Sequence, residues 1–252
     1  MKKIFDYNKK HLIECKNLTK KEIKSFLKES EKYIKINKKK IKKTNLLKGR
    51  TVFNLFFEDS TRTRTSFEVA AKRLGADLIN VSVKDSSINK GETLLDTMTT
   101  INSMSPDVLI VRHPEEGISL KISKIVSACV INAGDGSHEH PTQALLDCYT
   151  LREHCGALDG MRIAIVGDVR HSRVARSNVL AFTTLGAEVV LVAPATLLPT
   201  AVEGWPVTVA HELDPLLGDL DAVYLLRMQS ERISEGLIPS IREYAAGFGL
   251  SA

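Results

Sequence analysis

No part of this 252-residue chain approaches the roughly 20 consecutive apolar residues a membrane-spanning helix needs. The start, Met1-Lys2-Lys3-Ile4-Phe5-Asp6, leads into no apolar signal core. A soluble cytoplasmic protein is expected on both counts. Cysteine is scarce: Cys15, Cys129, Cys148 and Cys155 form no C-x-x-C pair and share no ligand spacing with histidine. A disulfide framework and a zinc site are therefore not expected, and the thiols read as reduced and mostly structural. G-x-G-x-x-G is absent, which weakens a nucleotide reading of Gly167-Asp168 after an apolar run. Lysine is absent after Lys124.

Charge is distributed unevenly. Residues 1–126 hold 27 Lys and Arg against 15 Asp and Glu, a balance of +12, whereas residues 127–252 hold 8 against 15, a balance of −7. The excess lies in residues 1–50, where a basic segment could bind nucleic acid. Those lysines, however, alternate with Ile23, Phe26, Leu27 and Ile34 at helical spacing and lack interleaved aromatics, so a solvated helix face is the better reading. The later half uses Arg, Ala, Leu and Val where the earlier half uses Lys, Ile and Asn. Two domains with different surfaces account for that change, and so does a join between two related sequences.

The pattern alternates strand and helix. Thr19-Lys20-Lys21-Glu22 is a capping box that predicts a helix to about Tyr33 or Ile36. Strands are predicted at 51–57, 78–83, 108–111, 126–132, 161–166, 189–192 and 222–226, and helices at 61–74, 93–104, 144–152 and 174–185. The polar stretch 84–93 reads as a loop. This rhythm predicts an α/β protein of two domains, 1–143 and 144–252, each a parallel sheet flanked by helices, with the second incomplete at its C-terminus.

The most informative stretch is Phe56-Phe57-Glu58-Asp59-Ser60-Thr61-Arg62-Thr63-Arg64-Thr65-Ser66-Phe67-Glu68, a strand end, a turn and a helix start. Unpaired N–H groups at a helix N-terminus attract anions. Ser60, Thr61 and Thr63 add hydroxyl donors, and Arg62 offers a forked contact to phosphate. Other strand-end loops carry Arg112, His140, Gln143, Arg173, Arg227 and Gln229. With no carboxylate pair, no Ser/His/Asp arrangement and no cysteine beside a base, the set suits anion binding and stabilisation of charge on a developing oxyanion.

Taken together, these motifs resemble the aspartate carbamoyltransferase catalytic chain, in the aspartate/ornithine carbamoyltransferase superfamily, from about Leu12 onward. The resemblance rests on Phe57-Glu58-Asp59-Ser60-Thr61-Arg62-Thr63-Arg64, Ser86 with Lys90-Gly91-Glu92-Thr93, and Arg112-His113-Pro114-Glu115-Glu116-Gly117. It continues through Asn132-Ala133-Gly134-Asp135-Gly136, His140-Pro141-Thr142-Gln143, Gly167 to Ser177 and Arg227-Met228-Gln229-Ser230-Glu231-Arg232. It implies transfer of a carbamoyl group from carbamoyl phosphate to the amino group of L-aspartate in pyrimidine synthesis, with no cofactor and no metal. Ser60, Thr61, Arg62 and Thr63 would hold the phosphate, Thr63, Arg112 and His140 would polarise the carbonyl, and Gln143 would accept from the carbamoyl amide. Arg173, Arg227 and Gln229 would bind the aspartate carboxylates. Ser86 and Lys90 would enter a neighbouring subunit's site, Lys90 touching both substrates, which implies a homotrimer. Glu58 resembles a residue that bridges to arginines of the second domain, here Arg173 and Arg232. Arg64 and Arg73 read as ion-pair partners, and His113, His138 and His171 as structural.

The family's later H-P-x-P loop and final helix would fall beyond Ala252, so weak or no activity is expected of residues 1–252 alone. Ornithine carbamoyltransferase shares the S-T-R-T-R and H-P-T-Q motifs. Arg173 and Arg227 favour a dianionic acceptor over cationic ornithine. A non-catalytic phosphate-binding or assembly chain is the other alternative, and a regulatory chain or dihydroorotase would be possible partners. Neither nucleic acid nor a membrane is an expected partner.

Overall fold

The computed structural model describes Tyr7, residues 9–82, residues 93–227 and Tyr244. The chain divides into two compact units, one of residues 1–14 and 24–142, the other of residues 15–23 and 143–252. Helix α1 (Lys20–Asn37) starts in the latter and continues in the former. Its capping box is formed: Glu22 N–H donates to Thr19 Oγ1 at 3.2 Å, and Thr19 N–H to Glu22 Oε2 at 2.8 Å.

The first unit contains β1 (Thr51–Phe56), α2 (Thr61–Leu74), β2 (Asp77–Ser82), α3 (Leu94–Ser103), β3 (Val108–His113), α4 (Ile118–Ile125) and β4 (Cys129–Asp135). Its four strands are parallel in the order β2-β1-β3-β4. Successive strand residues point to opposite faces. Phe53, Leu55, Leu109, Val111 and Val130 accordingly pack with Met98 and Ile101 of α3 and Ile118 and Ile122 of α4. Val52, Phe56, Ile110 and Ala133 pack on the other face with Ala71 of α2. Burial on both faces explains why these strands read as nearly continuous apolar runs. Asn54 interrupts the run and is only 1% exposed. Its Nδ2 donates to Asn80 Oδ1 of β2 at 2.9 Å, and Asn80 Nδ2 reaches Glu68 Oε2 of α2 at 3.1 Å, a polar thread tying two strands to the helix.

In the first unit the main difference from the sequence expectation lies just before β4. Helix α4 was not anticipated, and β4 begins at Cys129 rather than Val126 because Val126 N–H donates to Ile122 O at 3.1 Å and closes that helix. Ile118, Ile122 and Ile125 follow helical spacing, and the apolar Val126 that closes this helix reads in sequence as the first residue of the strand.

The second unit contains α5 (Pro141–Cys155, assigned to it from Gln143 onward), β5 (Arg162–Val166), α6 (Arg173–Leu185), β6 (Glu188–Val192), β7 (Thr208–Ala210) and β8 (Ala222–Leu225). These strands are also parallel, in the order β7-β6-β5-β8. Ala164, Val166, Val190, Val192 and Leu213 form a core on one face. Strand β7, three residues long, is too short to show periodicity in sequence.

Candidate active site

In an open parallel sheet, ligands gather beyond the carboxyl ends of the strands where the strand order reverses. In the first unit that point lies between β1 and β3, and their ends are joined there by Phe57 N–H donating to Arg112 O at 2.9 Å. Helix α2 starts immediately after β1. Its first intrahelical bond is Arg64 N–H to Ser60 O at 3.0 Å, so the N–H groups of Thr61, Arg62 and Thr63 precede the helical ladder. Ser60 stands at the N-cap position without a side-chain capping bond. Its hydroxyl is thus not consumed in closing the helix. Phe56 to Thr61 and Arg64 line a small cleft of about 90 Å³. Arg62 is exposed and lines a wider, mainly apolar cavity of about 750 Å³ with Tyr33, Ile36, Val69 and Leu74.

Arg112 leaves the end of β3 and ties three strand ends together. Its Nη1 donates to Ala133 O of β4 at 3.1 Å, and its Nη2 pairs with Glu58 Oε1, in the turn after β1, at 2.8 Å. The guanidinium fork is held in place by these two contacts. His113, next along, makes a tilted ring contact with Phe57, centroids 4.7 Å apart, and accepts from Glu115 N–H at 2.9 Å. Burial holds its pKa below the ordinary histidine value, against the pull of Glu115, Glu58 and Asp135.

The loop after β4 is organised by Asp135, which is fully buried. Gly117 N–H donates to Oδ2 at 2.8 Å, while Asn132 Nδ2 at 2.8 Å and Glu139 N–H at 3.2 Å donate to Oδ1. His138 Nδ1 lies 3.3 and 3.2 Å from the two oxygens. Burial would raise the Asp135 pKa, but His138, Asn132 and Gly117 together hold it below the usual carboxylate value. Asp135 in turn raises His138 through their hydrogen bond, against the opposing effect of burial. Gly136 N–H donates to His113 O at 2.9 Å and Ser137 N–H to Glu116 Oε1 at 3.1 Å, which locks the loop after β4 to the loop after β3. His140 follows on this frame, 6% exposed, with Nδ1 3.3 Å from Thr142 Oγ1.

In the second unit the reversal lies between β5 and β8, where Leu226 N–H donates to Val166 O at 2.8 Å. Gly167 passes through φ +124°, which favours glycine, and a Cβ there would lie a tight 3.0 Å from Tyr244 Oη and 3.1 Å from Leu226 Cβ. Asp168 is fully buried and receives His171 N–H at 3.2 Å. Ser172 Oγ caps α6 by accepting from Ala175 N–H at 3.1 Å, and Arg173, the first helical residue, is 4% exposed. Arg227 is exposed just past β8. Gln143 Nε2 donates to Asp147 Oδ1 at 2.9 Å.

A family profile described as the carbamoyl-phosphate-binding domain of aspartate/ornithine carbamoyltransferases matches residues 10–153. The chain belongs to the aspartate/ornithine carbamoyltransferase family. It is 52% identical over 242 residues to the aspartate carbamoyltransferase catalytic subunit of Thermobifida fusca, covering 96% of this chain and 77% of that one. Identity to the catalytic subunit of Acidothermus cellulolyticus is 54% over 243 residues, covering 96% and 75%. A crystal structure of Trypanosoma cruzi aspartate transcarbamoylase in complex with aspartate and phosphate superposes with a TM-score of 0.81 at 34% identity, covering 88% of this chain and 76% of that one. The carbamoyl phosphate complex of the same enzyme gives 0.82 at 32%, covering 96% and 79%.

Within this carbamoyltransferase the first unit brings Ser60, Thr61, Arg62, Thr63, Arg112 and His140 to the carboxyl end of one sheet, and the second carries Gln143, Arg173 and Arg227. Ser86, Lys90 and Gln229, together with Arg232, lie outside the described residues. Glu58 is engaged by Arg112 of its own unit. Arg64 faces the small cleft and makes no ion pair among the described residues, and Arg73 donates to Asn37 Oδ1 at 2.8 Å instead of pairing with an acid. Asp135 and Asp147 escaped sequence reasoning. Each lies in or beside a motif already singled out, but a buried acceptor of several donors has no local pattern.

Proposed function

We propose that the chain transfers the carbamoyl group of carbamoyl phosphate to the amino group of L-aspartate, giving N-carbamoyl-L-aspartate and phosphate, as a cytoplasmic homotrimer in pyrimidine synthesis. The observation that carries this reading is the chemistry at the carboxyl ends of the two sheets: hydroxyls, a helix N-terminus, Arg112 and His140 at one, and Arg173 and Arg227 at the other. Ser60, Thr61, Arg62 and Thr63 hold the phosphate, and Ser86 and Lys90 complete the site of a neighbouring subunit. The amine lone pair forms a C–N bond to the carbamoyl carbon, and charge collects on the carbonyl oxygen. Thr63, Arg112 and His140 stabilise it. The C–O bond to phosphate then breaks, and the leaving phosphate takes the amine proton. Gln143 accepts from the carbamoyl amide, and Arg173, Arg227 and Gln229 bind the aspartate carboxylates. Two arginines suit a dianion and oppose a cationic acceptor such as ornithine. The relatives' names support the same choice: T. cruzi aspartate transcarbamoylase is described in complex with carbamoyl aspartate and phosphate.

The test is carbamoylation of aspartate against ornithine, with calorimetry of carbamoyl phosphate binding. Aspartate is expected to be preferred, and Arg112→Lys, which cannot keep both the Ala133 and Glu58 contacts with a forked group, to lose at least tenfold in carbamoyl phosphate affinity. Preference for ornithine, or binding unchanged in Arg112→Lys, would reject the assignment.

A further inference from the structure

Asp147 is a half-buried carboxylate on α5 on which three elements of the second unit converge. Gln143, one turn earlier on α5, donates Nε2 to Oδ1 at 2.9 Å. Asn178 Nδ2 of α6 at 3.0 Å and Tyr224 OH of β8 at 3.0 Å both donate to Oδ2. An ionised carboxylate only accepts hydrogen bonds, so the end of the Gln143 amide that faces it is the NH₂ end. The other end, Oε1, is thereby turned away as an acceptor. Burial pushes the Asp147 carboxyl above its ordinary pKa, while hydrogen bonds from Asn178, Gln143 and Tyr224 pull the other way. A carboxylate that burial disfavours in its charged form is weak evidence of a purely stabilising role.

We propose that Asp147 is a positioning residue that sets the polarity of Gln143, presenting Oε1 to the amino group of carbamoyl phosphate so that the protein distinguishes a carbamoyl donor from an acyl phosphate. The proposal rests on Gln143 being the acceptor for the carbamoyl amide, as assigned above. Replacing Asp147 by asparagine reverses the arrangement. Asn178 and Tyr224 both donate and hold the remaining oxygen on their side, which leaves the new NH₂ against Gln143. Gln143 then turns its oxygen inward and offers an NH₂ to another NH₂.

The test compares carbamoyl phosphate with acetyl phosphate, in which a methyl group replaces the amino group, by titration calorimetry of the full chain. Asp147→Asn is expected to lower the preference for carbamoyl phosphate about fivefold to tenfold, the worth of one hydrogen bond. It adds nothing further in a Gln143→Ala background, and Tyr224→Phe, which leaves Oδ1 facing Gln143, keeps the ratio. If Asp147→Asn does not fold, Asp147→Ala, which leaves the amide able to present either end, is expected to lower the ratio about threefold. A merely structural role predicts parallel loss of both affinities, or effects that multiply in the double variant, and either result overturns the proposal. If Gln143→Ala itself leaves the ratio unchanged, the assignment of Gln143 falls and the proposal with it; if Gln143→Ala collapses the ratio and Asp147→Asn does not, only the positioning role is lost. A chain that binds neither phosphate refutes the proposed function and this inference together.

Discussion

Asp135→Asn should destabilise the first unit by about 3 kcal/mol, because no orientation of the new amide suits its surroundings. Backbone N–H groups approach from both sides, Gly117 at 2.8 Å to Oδ2 and Glu139 at 3.2 Å to Oδ1. Whichever way asparagine turns, its NH₂ meets a fixed donor in a site with no solvent exposure, and the attraction to His138 is lost as well. Urea unfolding followed by far-UV circular dichroism is the appropriate assay, since the sole tryptophan, Trp205, belongs to the other unit. A pH series sharpens the test. The depressed Asp135 pKa makes a contribution that is present above its unfolded value, near 4, and is lost as pH falls through the folded value. The raised His138 pKa makes a contribution that is full below its unfolded value, about 6.5, and is lost as pH rises through the folded value. The pair therefore contributes most at about pH 5 to 6, and the stability gap between the protein and His138→Gln should shrink at higher pH. A loss below about 0.5 kcal/mol in Asp135→Asn, or a His138 gap that widens with pH, would refute the account of this loop.

Gly167→Ala should cost about 2 kcal/mol in stability, from φ +124° and from the approach of Tyr244 Oη and Leu226 Cβ; a melting temperature equal to wild type would contradict it. Thr93→Ala removes the capping box of α3, in which Thr93 Oγ1 accepts from Asp96 N–H at 3.2 Å, and should cost about 1 kcal/mol by urea unfolding; equal midpoints would count against the cap. Thiol labelling with mass spectrometry should modify exposed Cys155 first and Cys148 last, since burial pushes the Cys148 thiol far up; early modification of Cys148 would be the contrary result.

The S-T-R-T-R turn was legible because each step is local: an apolar strand, hydroxyls and arginines at a helix start, and Gly75 as the stop, observed at φ +88° with α2 ending at Leu74. Strand–helix alternation likewise predicted parallel sheets, since a right-handed crossover leaves few other solutions. Helix α4 was lost between two apolar runs, and β7 was too short to register. Segment 15–23 belongs with the second unit, and nothing in its sequence points there.

By itself, then, the sequence determined the class of fold and supplied the donors proposed for the site, through spacing and local chemistry that do not depend on distant partners. Only the tertiary structure decided strand order, and hence that the phosphate-type turn and Arg112 meet at one reversal point while Arg173 and Arg227 flank another. It alone paired Glu58 with Arg112, gathered four residues on Asp135, and turned Gln143 by way of Asp147. Donor–acceptor pairing of buried groups is set by distances across elements far apart in the chain, and a linear pattern does not contain those distances.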